Sequence, residues 1–528
     1  MSLSLHCLRW ITPLLAALLF AVPTTAAPSD AADGATGLPI SLSQAIELAL
    51  INNLEIELQK NAVFSAEASV RQALGQFDPV FGAGYQYGET TRTLDSEASV
   101  AAGGLDSVRS ESASTSASVS GQLPTSTRYS GRVNDVSSAD TFNDFAEEHT
   151  AGADLSITQP LLKGRGWDIA TMEVRIARRN LNITWLGFRA AVEEILLQVE
   201  QAYWNLLLAQ DDLVVRQKSV EAAQSLVDEA HAKLEVDSAS EADVVQAESG
   251  LAQRQLSLIE ARRTVQLRQR LLKDLIFPDL QEAVDELIPT DHPAEEFTVP
   301  DYQEILDRAL AMRVELEQAE HRIANADDQL RRGRNSRLPQ VDLEAGYGYN
   351  GLGTSFSDSF NQVYDRDNPS WTVGLVYSKP WPDRAAHASV DQLRAAVRQQ
   401  TIEAERVRRG IILEAAEVYD NLKSAAERVN ASRIAVRLAR LNVENEKVRY
   451  GVNQATLNDV LRLEAELAQT ETSLLSAIAD YQNGIANMRR TCGAMLDFWN
   501  IRMIENQSVL ESASPEAPSQ TTGDGDAS

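Results

Sequence analysis

Two short motifs carry residue types at a spacing that a helix end can use. Ser240-x-x-Asp243 and Thr456-x-x-Asp459 each place a hydroxyl three residues before a carboxylate. This is the form of a capping box, in which the pair satisfies free backbone donors at a helix N-terminus. Catalytic chemistry finds no comparable foothold. His149, His231, His292, His321 and His387 are scattered, with no second His at metal-ligand spacing, and Gly351-Leu352-Gly353 lacks the rest of any phosphate-binding fingerprint. Cys7 lies ahead of an apolar run and Cys492 stands alone beyond it, so no disulfide or thiolate cluster is expected within one mature chain. These residues imply no cofactor, no metal and no enzyme.

The two capping motifs occupy equivalent places in a chain that is built twice. Leu196 to Tyr203 recurs at Ile412 to Tyr419, 216 positions later, and the same offset relates Ala209 to Ala425, Asp243-Val244 to Asp459-Val460, Glu248 to Glu464 and Leu258 to Leu474. Ahead of each copy, Ala49-Leu50, Glu55, Arg71, Pro79 and Tyr87 match Ala309-Leu310, Glu315, Arg331, Pro339 and Tyr347 at an offset of 260. Each half reads helix, β region, long helices. Solenoid repeats have periods of about 20 to 50 residues, so this is a duplicated architectural unit and not an array.

Apolar residues at Ile195, Val199, Ala202, Leu206, Ala209, Leu213, Val220, Ala223, Val227, Ala230 and Leu234 step by four and three. A break at residues 236–242 precedes a second such run from Val244 to Leu275, and the later half repeats both arms through Ile411, Ala415, Val418, Leu422 and onward. That period predicts antiparallel coiled-coil helices, the first running from about Asp168 to Leu234. Arg216, Arg254 and Arg268 interrupt the seams and are expected to snorkel or pair; the Asn52-Asn53 pair is expected on a solvated face.

The β regions alternate weakly apolar and polar residues at Phe77 to Thr93, Ala151 to Thr158, Val341 to Tyr349 and Trp371 to Tyr377, with Trp167, Trp371 and Trp381 near strand ends. A transmembrane barrel presents one such face to lipid and the other to a lumen. Pro79 to Tyr203 spans 124 residues against 80 for Pro339 to Tyr419. The surplus is Ser/Thr-rich and reads as strand, turn, strand over Thr115 to Val136, either an added barrel hairpin or an extracellular excursion.

Composition bounds the rest. A formal charge of −28 over 528 residues argues against a nucleic-acid partner, since a phosphate backbone requires a clustered basic surface. His6, Arg9, the apolar run Trp10 to Val22 and Pro23-Thr24-Thr25-Ala26-Ala27 form a secretory signal over residues 1–27. No later segment approaches the roughly 18 apolar residues of a spanning helix, so a membrane crossing must be made by a β-barrel. The domains expected are a first repeat over 28–277, a connector over 278–300, a second repeat over 301–500, and a tail over 501–528 that is disordered beyond 511.

Three further stretches complete a resemblance. These are Ile40 to Leu50, Leu155-Ser156-Ile157-Thr158-Gln159-Pro160-Leu161-Leu162, and Tyr450-Gly451-Val452-Asn453-Gln454-Ala455-Thr456-Leu457-Asn458-Asp459-Val460-Leu461. In their duplicated order the chain resembles the TolC-like outer-membrane efflux proteins from Leu42 to about Trp499. The resemblance implies a mainly α fold with a transmembrane β portion, in which long antiparallel helices form a periplasmic tunnel and strands enter a shared trimeric β-barrel. It also implies a homotrimer in the outer membrane of a Gram-negative bacterium, partnered by a periplasmic adaptor protein, an inner-membrane pump and outer-membrane lipids. Two strands from each half would give twelve per trimer, a number the extra hairpin can raise.

The resemblance further implies that the helical tips meet the adaptor, with Val236, Ser240 and Asp243 in the first half and Gly451, Val452 and Thr456 in the second. Tyr450 would be a latch, and Asp459 one member of an acidic ring at the tunnel mouth. Arg462 stands where a second acid is often found, so that ring is either absent or replaced by a contact between Asp459 and Arg462. Capping remains open as the alternative for Asp243 and Asp459, and the two roles can coexist. The rival for the whole chain is a periplasmic or surface coiled-coil scaffold without a pore.

Overall fold

A computed structural model describes residues 37–141, 145–235, 239–277, 286–293, 296–452 and 454–503. The expected signal segment, Val236 and the tail from residue 504 lie outside these residues. The first half runs β1 (Gly37–Ile40), α1 (Leu42–Asn52), α2 (Leu54–Leu74), β2 (Val80–Thr93), α3 (Ser96–Ala101), β3 (Ser107–Gln122), β4 (Arg128–Asp140), β5 (Glu148–Pro160), α4 (Trp167–Ala170), α5 (Met172–Glu235) and α6 (Glu241–Ile276). After β6 (Glu286–Pro289) come α7 (Tyr302–Met312), α8 (Val314–Ser336), β7 (Gln340–Gly353), α9 (Phe356–Asp365), β8 (Pro369–Ser378), α10 (Arg384–Gly451), α11 (Leu457–Thr491) and α12 (Met495–Phe498). No described helix is long and apolar enough to cross a membrane.

The 64 residues of α5 and 68 of α10 extend about 100 Å each at about 1.5 Å per residue. The helix expected from Asp168 instead begins at Met172, because α4 ends in a separate turn at Thr171. Seam positions read from the sequence are buried: Ile195, Val199, Leu206, Ala223, Val227 and Ala230 on α5 meet α6, while Leu422, Ala425, Val429 and Tyr481 join α10 to α11. The helices form a layer four wide, in the order α2, α5, α8, α10 next to the strands and α6, α5, α11, α10 toward the turns. Its free edges expose apolar side chains: Leu54, Leu58 and Phe64 on α2, Leu256, Ile259 and Leu267 on α6, and Ile402, Leu413, Ile434 and Leu438 on α10.

Asn52 and Asn53 correct the expectation of a solvated face. Asn53 leaves the helical region between α1 and α2, and its side chain accepts from the amides of Glu55 and Ile56, while both Asn side-chain amides donate to carbonyls at the end of α6. Its repeat counterpart, Arg313, has the same backbone conformation between α7 and α8 without a side-chain cap. It spends its guanidinium on Glu315 and Glu414.

Beside the mid-length of α5, β1 and β6 pair in parallel, a link between the chain's start and the connector that no periodicity signals. Tyr203, fully buried, ties it. Its hydroxyl lies 2.5 Å from an Asp291 carboxylate oxygen and 3.1 Å from the Ile40 carbonyl, and it accepts from the amides of Thr290 and Asp291. Tyr419, the repeat counterpart, packs edge-on to Tyr302 instead. Close by, buried Glu200 accepts from Arg489 and from the Trp499 indole, and burial raises its carboxyl above the ordinary value despite the arginine.

The larger sheet is antiparallel, ordered β2-β3-β4-β5-β7-β8. The first half supplies four strands to the second half's two, because the Ser/Thr-rich surplus, whose place the spacing leaves open, forms β3 and β4 inside the sheet. Its register sorts side chains into two faces. One holds Phe81, Tyr85, Tyr87, Val119, Val133, Leu155, Ile157, Tyr347, Trp371, Val373, Leu375 and Tyr377; the other holds alternate serines from Ser110 to Ser120 with Arg132, Asn134, Asp154 and Glu344. Apart from the patch that α9 covers around Ala151 and Asp135, the apolar face is bare, with Phe81 79% and Trp371 72% exposed.

Replacing Tyr203 by Phe removes a hydroxyl that four groups share and strands two amides, for an expected loss of about 1–3 kcal/mol in detergent unfolding, with Tyr419→Phe near neutral. Burial first, and Asp291 second, push the Tyr203 hydroxyl from 10.0 to about 12. The folded state therefore holds a proton that the unfolded state has already released, so this contribution is complete below pH 10.0 and disappears as pH rises through about 12. Unfolding titrations should show that alkaline loss in the parent and not in Tyr203→Phe.

Candidate functional site at the helical tips

Both capping motifs form as drawn. The Ser240 hydroxyl accepts from the Asp243 amide at 3.3 Å while the Asp243 carboxylate accepts from the Ser240 amide at 2.9 Å and its hydroxyl at 2.8 Å. Thr456 and Asp459 repeat this, with the Asp459 carboxylate 2.6 Å from the Thr456 hydroxyl and 3.3 Å from its amide. Hydrogen bonds from the cap hold both carboxyls below their ordinary value, chiefly from the Ser240 amide for Asp243 and from the Thr456 hydroxyl for Asp459. Both acids are partly exposed and ionised at neutral pH. Arg462 makes its ion contact with Glu466, at 4.0 Å, and Asp459 bonds its own cap, so the Asp459–Arg462 contact, one of the two alternatives at this position, gives way to two helix-local contacts. Arg462 acts on Asp459 only as a nearby positive charge.

Tyr450 lies in the last turn of α10 and packs against an apolar cluster of Leu226, Val227, Ala230, Val244, Ala247, Leu457, Val460 and Leu461. The ammonium of Lys233 on α5 sits 3.5 Å from the centre of its ring and 2.9 Å from Glu229. A cation over a tyrosine face is attracted by the ring quadrupole, so this contact joins the end of one hairpin to the end of the other. Gly451 closes α10, and Val452 is exposed beyond it.

Further from the tip, the two hairpins are clasped by polar groups that the sequence reading did not single out together. Gln246 of α6 donates to Asn458 of α11 at 2.7 Å. Arg254 donates to the Leu461 carbonyl at 2.8 Å and lies 3.8 Å from Glu464, which Lys447 approaches to 2.7 Å as an ion contact. The backbones come close here, for a β-carbon at Gly250 would lie 3.2 Å from the Leu461 side chain. Higher still, Arg216 donates to Thr472, whose hydroxyl meets Asp212. Seam-interrupting arginines were the available signal; their partners on the other hairpin required the register between hairpins.

Glu464 and its counterpart Glu248 offer a controlled comparison. Glu464 is buried between two cations, whereas Glu248 is exposed beside His231 at 3.5 Å. Glu464→Ala leaves half-buried Arg254 with carbonyl acceptors only and Lys447 without its carboxylate, and is expected to cost about 1–3 kcal/mol, while Glu248→Ala stays within about 0.5 kcal/mol, as read by thermal unfolding of the detergent-solubilised protein.

Comparison with known proteins agrees with this architecture. The profile of the family described as outer membrane efflux protein matches residues 45–276 and 305–494. Outer membrane protein TolC of Escherichia coli is 23% identical over 359 residues, covering 66% of this chain and 70% of that one. The alkaline protease secretion protein AprF of Pseudomonas aeruginosa is 25% identical over 376 residues, covering 68% and 74%. The outer membrane protein VceC of Vibrio cholerae superposes with a TM-score of 0.62 at 17% identity, over 86% of this chain and 96% of that chain. Matches spanning both repeats, on a helical layer that continues into a two-faced sheet, mean that the chain belongs to the outer membrane efflux protein family and is a channel of the outer membrane.

Proposed function

We propose that three copies of this chain close into one exit duct, with pooled strands as a barrel in the outer membrane and pooled helices as a periplasmic tunnel. The observation that carries this is the open sheet with one bare apolar face and two unpaired edge strands, β2 and β8. Unpaired backbone groups are not tolerated in hydrocarbon, so the edges must find partners, and six strands are too few to close on themselves around a lumen. The helical layer poses the same problem at α2, α6 and α10, whose exposed apolar residues need a neighbour. A head-to-tail contact that places α10 against the next copy's α2 and α6 meets both needs and closes as a ring.

The tips then form the periplasmic mouth. Tyr450, held by Lys233, is the latch between hairpins of one copy; Asp459 gives one carboxylate per copy to a ring that favours cations, with Arg462 one turn behind it moderating that charge. The turns bearing Ser240, Asp243, Gly451, Val452 and Thr456 are the surface offered to a periplasmic adaptor, and an inner-membrane pump supplies the energy. The likeness to AprF and TolC supports this place in an export assembly. A soluble scaffold is disfavoured by the bare aromatic face of the sheet.

Detergent-purified protein in a planar bilayer should show a trimeric mass and a small, flickering, cation-preferring conductance. Asp459→Ala and Tyr450→Ala should raise that conductance, whereas Tyr450→Phe, which keeps the ring under Lys233, should not. A water-soluble species with no conductance would overturn the duct. Unchanged conductance in Asp459→Ala with lowered thermal stability would reduce Asp459 to a cap.

A further inference from the structure

We propose that the β3–β4 hairpin is a full part of the membrane wall, so that the pooled barrel has eighteen strands and a lumen about as wide as the helical tunnel. This rests on the trimeric reading above and goes beyond it in assigning strand number and bore.

Four observations place the hairpin in the wall. Its ladders are continuous: β2 pairs with β3 from Val80 opposite Ser120 to Thr93 opposite Ser107, and β4 pairs with β5 from Arg128 opposite Thr158 to Ser138 opposite Glu148. The side chains keep phase. Phe81, Ala83, Tyr85 and Tyr87 on β2 face Val119, Ala117, Thr115 and Ala113 on β3, and the apolar band ends on both strands at the same level, where Glu89 faces Glu111 with Arg109 bridging the two carboxylates. An excursion into solvent has no reason to match a neighbour's apolar band and its charged limit.

The turn at the helical end of the hairpin is also moored. Buried Ser126 donates to the Gly166 carbonyl at 3.2 Å, Thr127 donates to Gln159, and the Leu123 amide donates to the Thr127 carbonyl at 2.8 Å. Finally, the one carboxylate of β4 on the apolar face is covered. Asp135 lies 3.0 Å from His149 and 3.4 Å from Ser359, beneath α9, which approaches so closely that a β-carbon at Gly351 would strike the Ser359 carbonyl. The stacked rings of Phe356 and Phe360, 5.5 Å apart, continue the apolar surface over this spot.

Strand number sets bore. With strands about 4.8 Å apart and tilted about 40°, twelve strands make a barrel about 24 Å across and eighteen one about 36 Å across. Twelve helices, four per copy, spaced about 9–10 Å apart make a ring of about 36 Å. The eighteen-stranded wall therefore meets the tunnel without a step, which leaves the tips as the narrowest point for any cargo.

Cysteine pairs in the full-length protein in outer membranes test this, with buried Cys492 left in place and linked peptides read by mass spectrometry. Ala83→Cys with Ala117→Cys is expected to link within one chain, and Phe81→Cys scanned against positions along β8 is expected to link between chains into a trimer. If Ala83→Cys links instead to β5 positions 151–155 and not to β3, the hairpin lies outside a twelve-stranded wall and the proposal is overturned. If the intrachain β2–β3 link forms without any link between chains, pooling itself fails and the eighteen-stranded barrel falls with it. Counting wall strands by electron cryo-microscopy of the unmodified protein in nanodiscs gives the same decision independently of the variants.

Discussion

Everything above the helical tips depends on one constraint: a backbone amide or carbonyl left unpaired in hydrocarbon costs several kcal/mol. A single copy of this chain satisfies every strand of its large sheet except the outer faces of β2 and β8. The chain cannot therefore be a finished object on its own in a membrane. The same incompleteness runs down the molecule, where α2, α6 and α10 hold apolar side chains in the open. The two edges are built from different elements, β2 with α2 and α6 on one side and β8 with α10 on the other, so a head-to-tail contact uses both at once.

The polar contacts divide into two kinds with different consequences. At the mid-length of the helices, Tyr203 with Asp291 and Glu200 with Arg489 are deeply buried and fix the strand pair β1–β6 and the chain's last described residues to α5. Near the tips, the Lys233–Tyr450, Gln246–Asn458 and Arg254–Leu461 contacts are few, polar and closer to water. Buried networks resist opening, while contacts near solvent exchange readily with water. The middle of the helical layer therefore carries the most enclosed of these ties, with Tyr203 and Glu200 both fully buried.

Much of this was legible in the residues. The duplication, the buried seams and both capping boxes follow from spacing, because a helix repeats its environment every 3.6 residues and a cap is local. The strands β3 and β4 were only partly legible: alternate serines carry little hydropathy contrast, so their membership of the sheet emerges from register and not from composition. Asn53 misled because the same side chain suits a wet surface and a helix break. Lys233, Asn458 and Glu464 were out of reach as partners, since they meet across separations of more than 200 residues or between hairpins whose relative register no local pattern encodes.

The duplication is honoured by the helices and broken by the strands, and that mismatch has a geometric consequence at the rim. Helices α2, α5, α8 and α10 join the sheet at β2, β5, β7 and β8, in the same lateral order. Three strand spacings separate the first two junctions, and one separates each of the others. The evenly packed helical layer therefore meets an uneven comb of strands, widest between α2 and α5. The moored turn from Leu123 to Thr127 lies in this wider interval, held to Gly166 and Gln159, so the space between the two junctions is filled by the extra hairpin and its anchors.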